Sequence, residues 1–284
     1  MRKITGVKIK NFGEFLINEE KSKATLEKYV RDIKAFADWL GGEAVSKARV
    51  LEYKEYIIAN YAPASVNSII SSLNSFFEYM QEYSLRVKTL KIQHRVFSEK
   101  ERELTKAEYE RLLKAAKLNG NRKLYLLMQT ICAVGIRVSE LRYISVEALQ
   151  CGQAVINMKG KMRVIMLPRD LCGILKKYAA EQKISSGSIF VTKTGRPLDR
   201  SNIWKLMKAL CESAGVDKKK VFPHNLRHLF ARTFYSLQKD IVRLADILGH
   251  SSVNTTRIYT MESGEICRRQ IQKLGLFTAV KKTT

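Results

Sequence analysis

Between residues 25 and 40 the apolar side chains fall at 26, 29, 30, 33, 36, 37 and 40, the spacing of one helix face, and Gly41-Gly42 ends the run. A stripe of that width has to be buried against other helices. Similar stretches surround it: residues 7–40 read as two helices, 47–60 as a third, and Pro63-Ala64-Ser65 opens a fourth through Tyr83. Residues 1–88 are therefore expected to form a four-helix domain. From 86 to 102 the chain is basic and poorly periodic, which places a linker at 89–102. Thr105-Lys106-Ala107-Glu108 has the form of a capping box, and a second domain is expected over 103–284. In it, residues 124–131 read as a buried helix, Ser139 begins another, and helices resume over 170–182, 201–214, 225–237 and 240–248. Residues 154–158 and 163–167 are strand-like, with Lys159-Gly160-Lys161 at the turn. The expected fold is mainly α with one small β-hairpin, in two domains.

Charge narrows the function. The chain of 284 residues carries 51 Lys+Arg against 27 Asp+Glu, a formal net of +24. Up to Ser98 the net is +5, and the remainder carries +19. An excess of that size draws a polyanion, and nucleic acid is the partner expected. The five cysteines (Cys132, Cys151, Cys172, Cys211, Cys267) are scattered, odd in number and without a C-x-x-C pair. That spacing argues against a disulfide framework or a zinc site and fits a reducing cytoplasm. No apolar run approaches the roughly 20 residues of a bilayer span, so a cytoplasmic, nucleoid-associated protein is expected.

The last third holds His224-Asn225-Leu226-Arg227-His228, then Leu248-Gly249-His250 and, nine residues on, Tyr259. Upstream lie Gly135-Ile136-Arg137-Val138-Ser139-Glu140-Leu141 and Met158-Lys159-Gly160-Lys161. Together these residue types make a kit for breaking a phosphodiester without metal or cofactor. An arginine fork fits two phosphate oxygens at once. Tyrosine can attack phosphorus and hold it covalently. Histidine and lysine move protons near neutral pH when their surroundings tune them. Arg137 comes after a glycine at the expected mouth of a helix, where backbone amides favour a phosphate. His224 and Arg227, three apart, share a helix face, whereas His228 is expected to point elsewhere and to be structural. Glu140 reads equally as a partner orienting Arg137 or as a surface carboxylate.

In order and spacing this set resembles the tyrosine recombinases, or phage integrase family, and is closest to its Xer-type members. Lys193-Thr194-Gly195-Arg196-Pro197-Leu198 and Ser201-Asn202-Ile203-Trp204 share the likeness, while Val134, Leu229 and Met261 depart from the usual pattern without removing a reactive group. The resemblance implies a helical core-binding domain that clamps DNA, then a mixed α/β catalytic domain. It implies that Arg137 and Arg227 hold the scissile phosphate and that Lys159 protonates the departing 5′ oxygen, with Lys161 competing for that part. It further implies that His224 assists at the tyrosine oxygen, that His250 bonds a non-bridging phosphate oxygen, and that Tyr259 attacks to leave a 3′-phosphotyrosyl bond. Four protomers would act on two sites through a Holliday junction. The tail, residues 265–277 with Ile266, Ile271 and Leu274 on one face, would dock on a neighbouring subunit or pack back on its own domain. A type IB topoisomerase and a DNA-binding architectural protein are the rival readings. The DNA site, the choice among integration, excision, inversion and dimer resolution, and the need for a second recombinase or accessory protein are not legible.

Overall fold

The computed structural model describes residues 3–92, 100–158, 161–260 and 264–274. It divides into two compact units, residues 1–94 and 95–284. The first is all helix: α1 (Gly6–Asn18), α2 (Lys23–Leu40), α3 (Lys47–Asn60) and α4 (Pro63–Tyr79). Thr5, Ser22 and Ser46 each accept the amide of the third residue of the helix they open, worth about 1 kcal/mol apiece. Pro63 opens α4, where its fixed φ suits the first turn. The stripe on α2 is buried through Ile33, Phe36 and Leu40. Phe36 packs on Tyr53 of α3 at 4.8 Å, and Phe12 of α1 meets Phe76 of α4 edge-on at 5.2 Å. Asp32 is buried but paired, with Lys28 at 2.5 Å and the Ser72 hydroxyl at 2.7 Å. α4 stops short of Tyr83 because Gln81 takes left-handed backbone, and a 3-10 turn succeeds it at Tyr83–Leu85.

The second unit runs α5 (Lys106–Leu118), α6 (Arg122–Val134), a 3-10 turn (Val138–Tyr143), α7 (Val146–Cys151), β1 (Gln153–Met158), β2 (Lys161–Met166) and α8 (Arg169–Glu181). It continues through α9 (Arg200–Ala209), α10 (Cys211–Ala214), α11 (Pro223–Gln238), α12 (Ile241–Leu248), α13 (Val253–Thr256), a 3-10 turn (Arg257–Tyr259) and α14 (Gly264–Lys273). The capping box at Thr105 and Glu108 closes in both directions. The single helix expected over 201–214 is two, because the Leu210 amide turns back to the Met207 carbonyl, three residues away. No described helix is long and apolar enough to cross a membrane.

β1 and β2 are antiparallel, in register from Gln153 opposite Met166 to Met158 opposite Lys161. Lys161 therefore belongs to β2. Lys159 and Gly160 lie outside the described residues. One face of the hairpin, with Ala154, Ile156 and Ile165, is buried; Val155, Met162, Val164 and Met166 on the other are exposed. Ile271 on α14 and Leu274 just past its end are exposed.

Candidate active site

α6 ends at Gly135, whose left-handed backbone (φ 65°) turns the chain into Arg137. The next element is a 3-10 turn and not the α-helix expected from Ser139. Its cause is local. In 3-10 geometry residues three apart eclipse, and Glu140 reaches back to accept the Arg137 amide at 2.7 Å and the Arg137 guanidinium at 3.0 Å. Glu140 is only 2% exposed, so the surface reading of it fails. It serves three arginines: Arg137 at 3.0 Å, Arg163 at 2.6 Å and Arg227 at 3.9 Å. Three positive charges around one negative leave a surplus that favours an anion.

Arg227, in the second turn of α11, is fully buried. Its Nη1 donates to the Gly135 carbonyl at 2.8 Å, and its Nη2 to the Leu248 carbonyl at 2.7 Å and to His250 Nε2 at 3.0 Å. A guanidinium only donates, so that Nε2 accepts, and the ring is neutral with its proton on Nδ1. Nδ1 in turn donates to the Thr256 hydroxyl at 2.8 Å. Both nitrogens of His250 are thus engaged. The ring thereby links Arg227 to Thr256.

Tyr259 is 5% exposed, in a small apolar cluster with Ala231, Leu244 and Leu248. Its ring stacks on His250 at 6.3 Å, and the charge of Arg227 acts on its phenol. Burial pushes the phenol above its ordinary value; Arg227, Arg137 and Arg232 pull the other way without cancelling it. Desolvation therefore outweighs the field of these arginines at this phenol.

His224 is exposed at the start of α11. Protein crowded round the ring, then the charges of Arg227, Arg137 and Arg200, hold its pKa below the usual value. His228 does not point away. It lies one turn on from His224, with ring centroids 4.5 Å apart, and edge-on to Tyr259 at 5.1 Å. Sequence reasoning missed it, although residues four apart share a helix face. It also missed Arg163, which sits opposite Ile156 in the inward phase of β2; a charge at that phase is the signal. A recess of about 740 Å³ is lined by Arg137, Glu140, Arg163, Gly249 and His250 among others, but not by Tyr259 or His224. Gly249 (φ 63°) matters to it, because a Cβ there would lie 2.5 Å from Cδ of Arg163; one on Gly135 would lie 2.3 Å from the Phe230 ring. Lys159 lies outside the described residues.

The buried imidazoles make stability depend on pH. Unfolded, a histidine titrates near about 6.5. Folded, burial and then neighbouring charges hold His250 down to about 4 and His228 to about 3. Between those limits the unfolded chain takes up the extra protons, so the stability is whole above the unfolded pKa and drains as pH falls toward the folded ones. The melting temperature is expected to drop between about pH 6.5 and 5, above the carboxylate range. His228→Phe should flatten part of that slope, since His228 Nε2 is buried without a hydrogen-bond partner. Parallel melting curves for native and variant protein across the window would count against it.

The profile of the phage integrase family matches residues 102–265, and that of the phage integrase N-terminal SAM-like domain matches 9–82. Tyrosine recombinase XerD of Xanthomonas axonopodis pv. citri is 29% identical over 280 residues, covering 89% of this chain and 90% of that protein. Tyrosine recombinase XerA of Thermococcus kodakarensis is 28% identical over 278 residues, covering 94% and 95%. Among solved structures, a lambda integrase tetramer bound to a Holliday junction aligns with a TM-score of 0.70 at 19% identity, over 89% of this chain and 76% of that one. That likeness speaks for the fold. The family match spans more than half of the chain and takes in all six of the reactive residues singled out from its sequence: the chain belongs to the phage integrase family and is a tyrosine recombinase.

Proposed function

We propose that this protein cuts and rejoins double-stranded DNA at a specific site through a covalent bond to Tyr259. The observation that carries this reading is the convergence on Arg227, whose guanidinium joins the ends of α6 and α12 and His250, the ring on which Tyr259 stacks. In the reading, Arg137 and Arg227 hold the non-bridging oxygens of the scissile phosphate and offset charge as it builds in the transition state. His250 keeps Arg227 aimed, and Glu140 does so for Arg137. The Tyr259 oxygen attacks phosphorus as its proton passes toward His224. The bond to the 5′ oxygen breaks, and Lys159 gives that oxygen its proton. A 3′-phosphotyrosyl bond and a free 5′-hydroxyl result. The phosphodiester is exchanged and not hydrolysed, so resealing needs no ATP.

Residues 1–88 are assigned to gripping DNA, 103–284 to chemistry, and 89–102 to joining them, in a cytoplasmic protein. Assembly as four protomers passing through a Holliday junction is supported by the lambda integrase relative, solved as a tetramer on such a junction. Docking of the tail on a neighbour is supported by the exposure of Ile271 and Leu274.

The test uses nicked duplexes tiled from the DNA flanking the gene, in EDTA, with SDS-resistant adducts digested by nuclease and protease. A nucleotide is expected on the peptide containing Tyr259. Attachment at another residue, or nicking without any adduct, would overturn the reading.

A further inference from the structure

Thr256 ends α13 and opens the 3-10 turn that carries Tyr259, three residues on. It is fully buried. A buried hydroxyl costs stability unless it is bonded, and valine would fill the same shape without one. Here the hydroxyl accepts from Nδ1 of His250 at 2.8 Å. Across the ring, Nε2 accepts from Nη2 of Arg227 at 3.0 Å. The face of the ring stacks on Tyr259, with the planes 15° apart. One imidazole therefore touches both the arginine and the tyrosine, and Thr256 holds the ring nitrogen that neither of them uses.

An imidazole can fail in this place in two ways. Its proton can sit on Nε2, or the ring can turn over and bring carbon atoms to both partners. Either change leaves the guanidinium, which only donates, facing a ring atom that cannot accept. Which nitrogen carries the proton is set by the bond that the other nitrogen makes. By accepting at Nδ1, Thr256 selects the bare Nε2 that Arg227 requires and fixes the plane of the ring.

We propose that Thr256 is a positioning residue for the reaction: through the fixed ring of His250 it keeps Arg227 in register with the segment that carries Tyr259. This rests on the reading of Arg227 and Tyr259 given above, in which both must meet at one phosphorus. Misplacing a reacting group by about 1 Å costs on the order of a hundredfold in rate. Where an imidazole binds a metal, losing the partner of its other nitrogen costs about 10- to 100-fold, and a guanidinium held by the ring should be no less sensitive.

The test is a double-mutant cycle on one suicide duplex, cut at the phosphate located by adduct mapping. Single-turnover adduct formation is measured for the native protein, Thr256→Val, Thr256→Ser, His250→Phe and the pair Thr256→Val with His250→Phe. Thr256→Val is expected to be about 10- to 100-fold slow with DNA affinity unchanged, and Thr256→Ser close to native. Once position 250 is phenylalanine, Thr256→Val should change the rate by no more than about twofold. Losses that multiply would mean that Thr256 acts without His250, and the proposal is wrong; a native rate in Thr256→Val sinks it as directly. A nitrogen NMR spectrum of the imidazoles at about pH 7.5, above the free-histidine pKa, reads the tautomer without DNA. His250, assigned by its absence from His250→Phe, should carry its proton on Nδ1 in the native protein and in Thr256→Ser, and should lose that preference in Thr256→Val. A native ring protonated on Nε2 overturns the inference. A native protein that forms no adduct on Tyr259 removes the functional reading and this inference together, whereas the other failures remove the inference alone. Should Thr256→Val not fold, Thr256→Ala and the native spectrum decide the question in its place.

Discussion

Tyr259→Phe will bind its DNA site about as tightly as the native protein and form no covalent adduct. The phenol oxygen is the only atom removed. The ring stays in its cluster with Ala231, Leu244 and Leu248, and its contacts with His228 and His250 are contacts of ring with ring. Little packing is lost, so stability should change by about 1 kcal/mol at most. The catalytic loss is complete, because phenylalanine carries no oxygen to attack phosphorus. Gel shift and SDS-resistant capture on one suicide duplex measure both halves. An adduct that survives in the phenylalanine variant would remove Tyr259 as nucleophile.

Arg227→Ala should damage both fold and function. The native guanidinium supplies donors to the Gly135 and Leu248 carbonyls and to His250, all in a fully buried setting. Truncation strands those acceptors and takes a positive charge from beside Glu140. We expect a loss of about 3 to 5 kcal/mol, the range for opening a buried ionic network, read as a lower urea midpoint. Cleavage by the surviving folded fraction should fall by about a thousandfold or more, since one preorganised donor to a transition-state charge is worth on the order of 10² to 10³. Arg227→Lys tests geometry against charge: one ammonium cannot reach two carbonyls on the ends of different helices, so most of both losses should persist. A urea midpoint unchanged in Arg227→Ala would show that α6 and α12 are not held together through this side chain.

The range of the forces involved decides how much of this was legible in the sequence. Helices were legible because their burial is periodic: the stripe from 26 to 40 lies on α2 as spaced, and Ile33, Phe36 and Leu40 are in the core. The hairpin was legible in kind, but Lys161, expected in the turn, begins β2, because a shift in pairing leaves composition untouched. The reactive set could be named from order and spacing, and the structure brings Arg137, Arg227, His250 and Tyr259 into one neighbourhood. Its internal wiring was hidden. That Glu140 answers three arginines depends on β2 and α11 meeting the 3-10 turn, and no spacing within any one segment encodes it. The burial of Tyr259 is likewise a property of how α11 and α12 pack. His228 is a different case, since its spacing of four from His224 is enough by itself to put the two rings on one face.

The two glycines of the site have a consequence for inheritance. At Gly135 and Gly249 the volume a side chain would take is already filled, by Phe230 in one case and by Arg163 in the other. Each glycine therefore forms a unit with a residue far away in the sequence, and the two cannot change independently. A bulkier residue at 249 would have to displace Arg163, and a lineage that shed Arg163 would relax the steric demand for glycine there, leaving only the left-handed backbone to favour it. Positions 163 and 249, like 230 and 135, should vary together in descendants of this chain, as pairs separated by dozens of residues and joined by a single shared space.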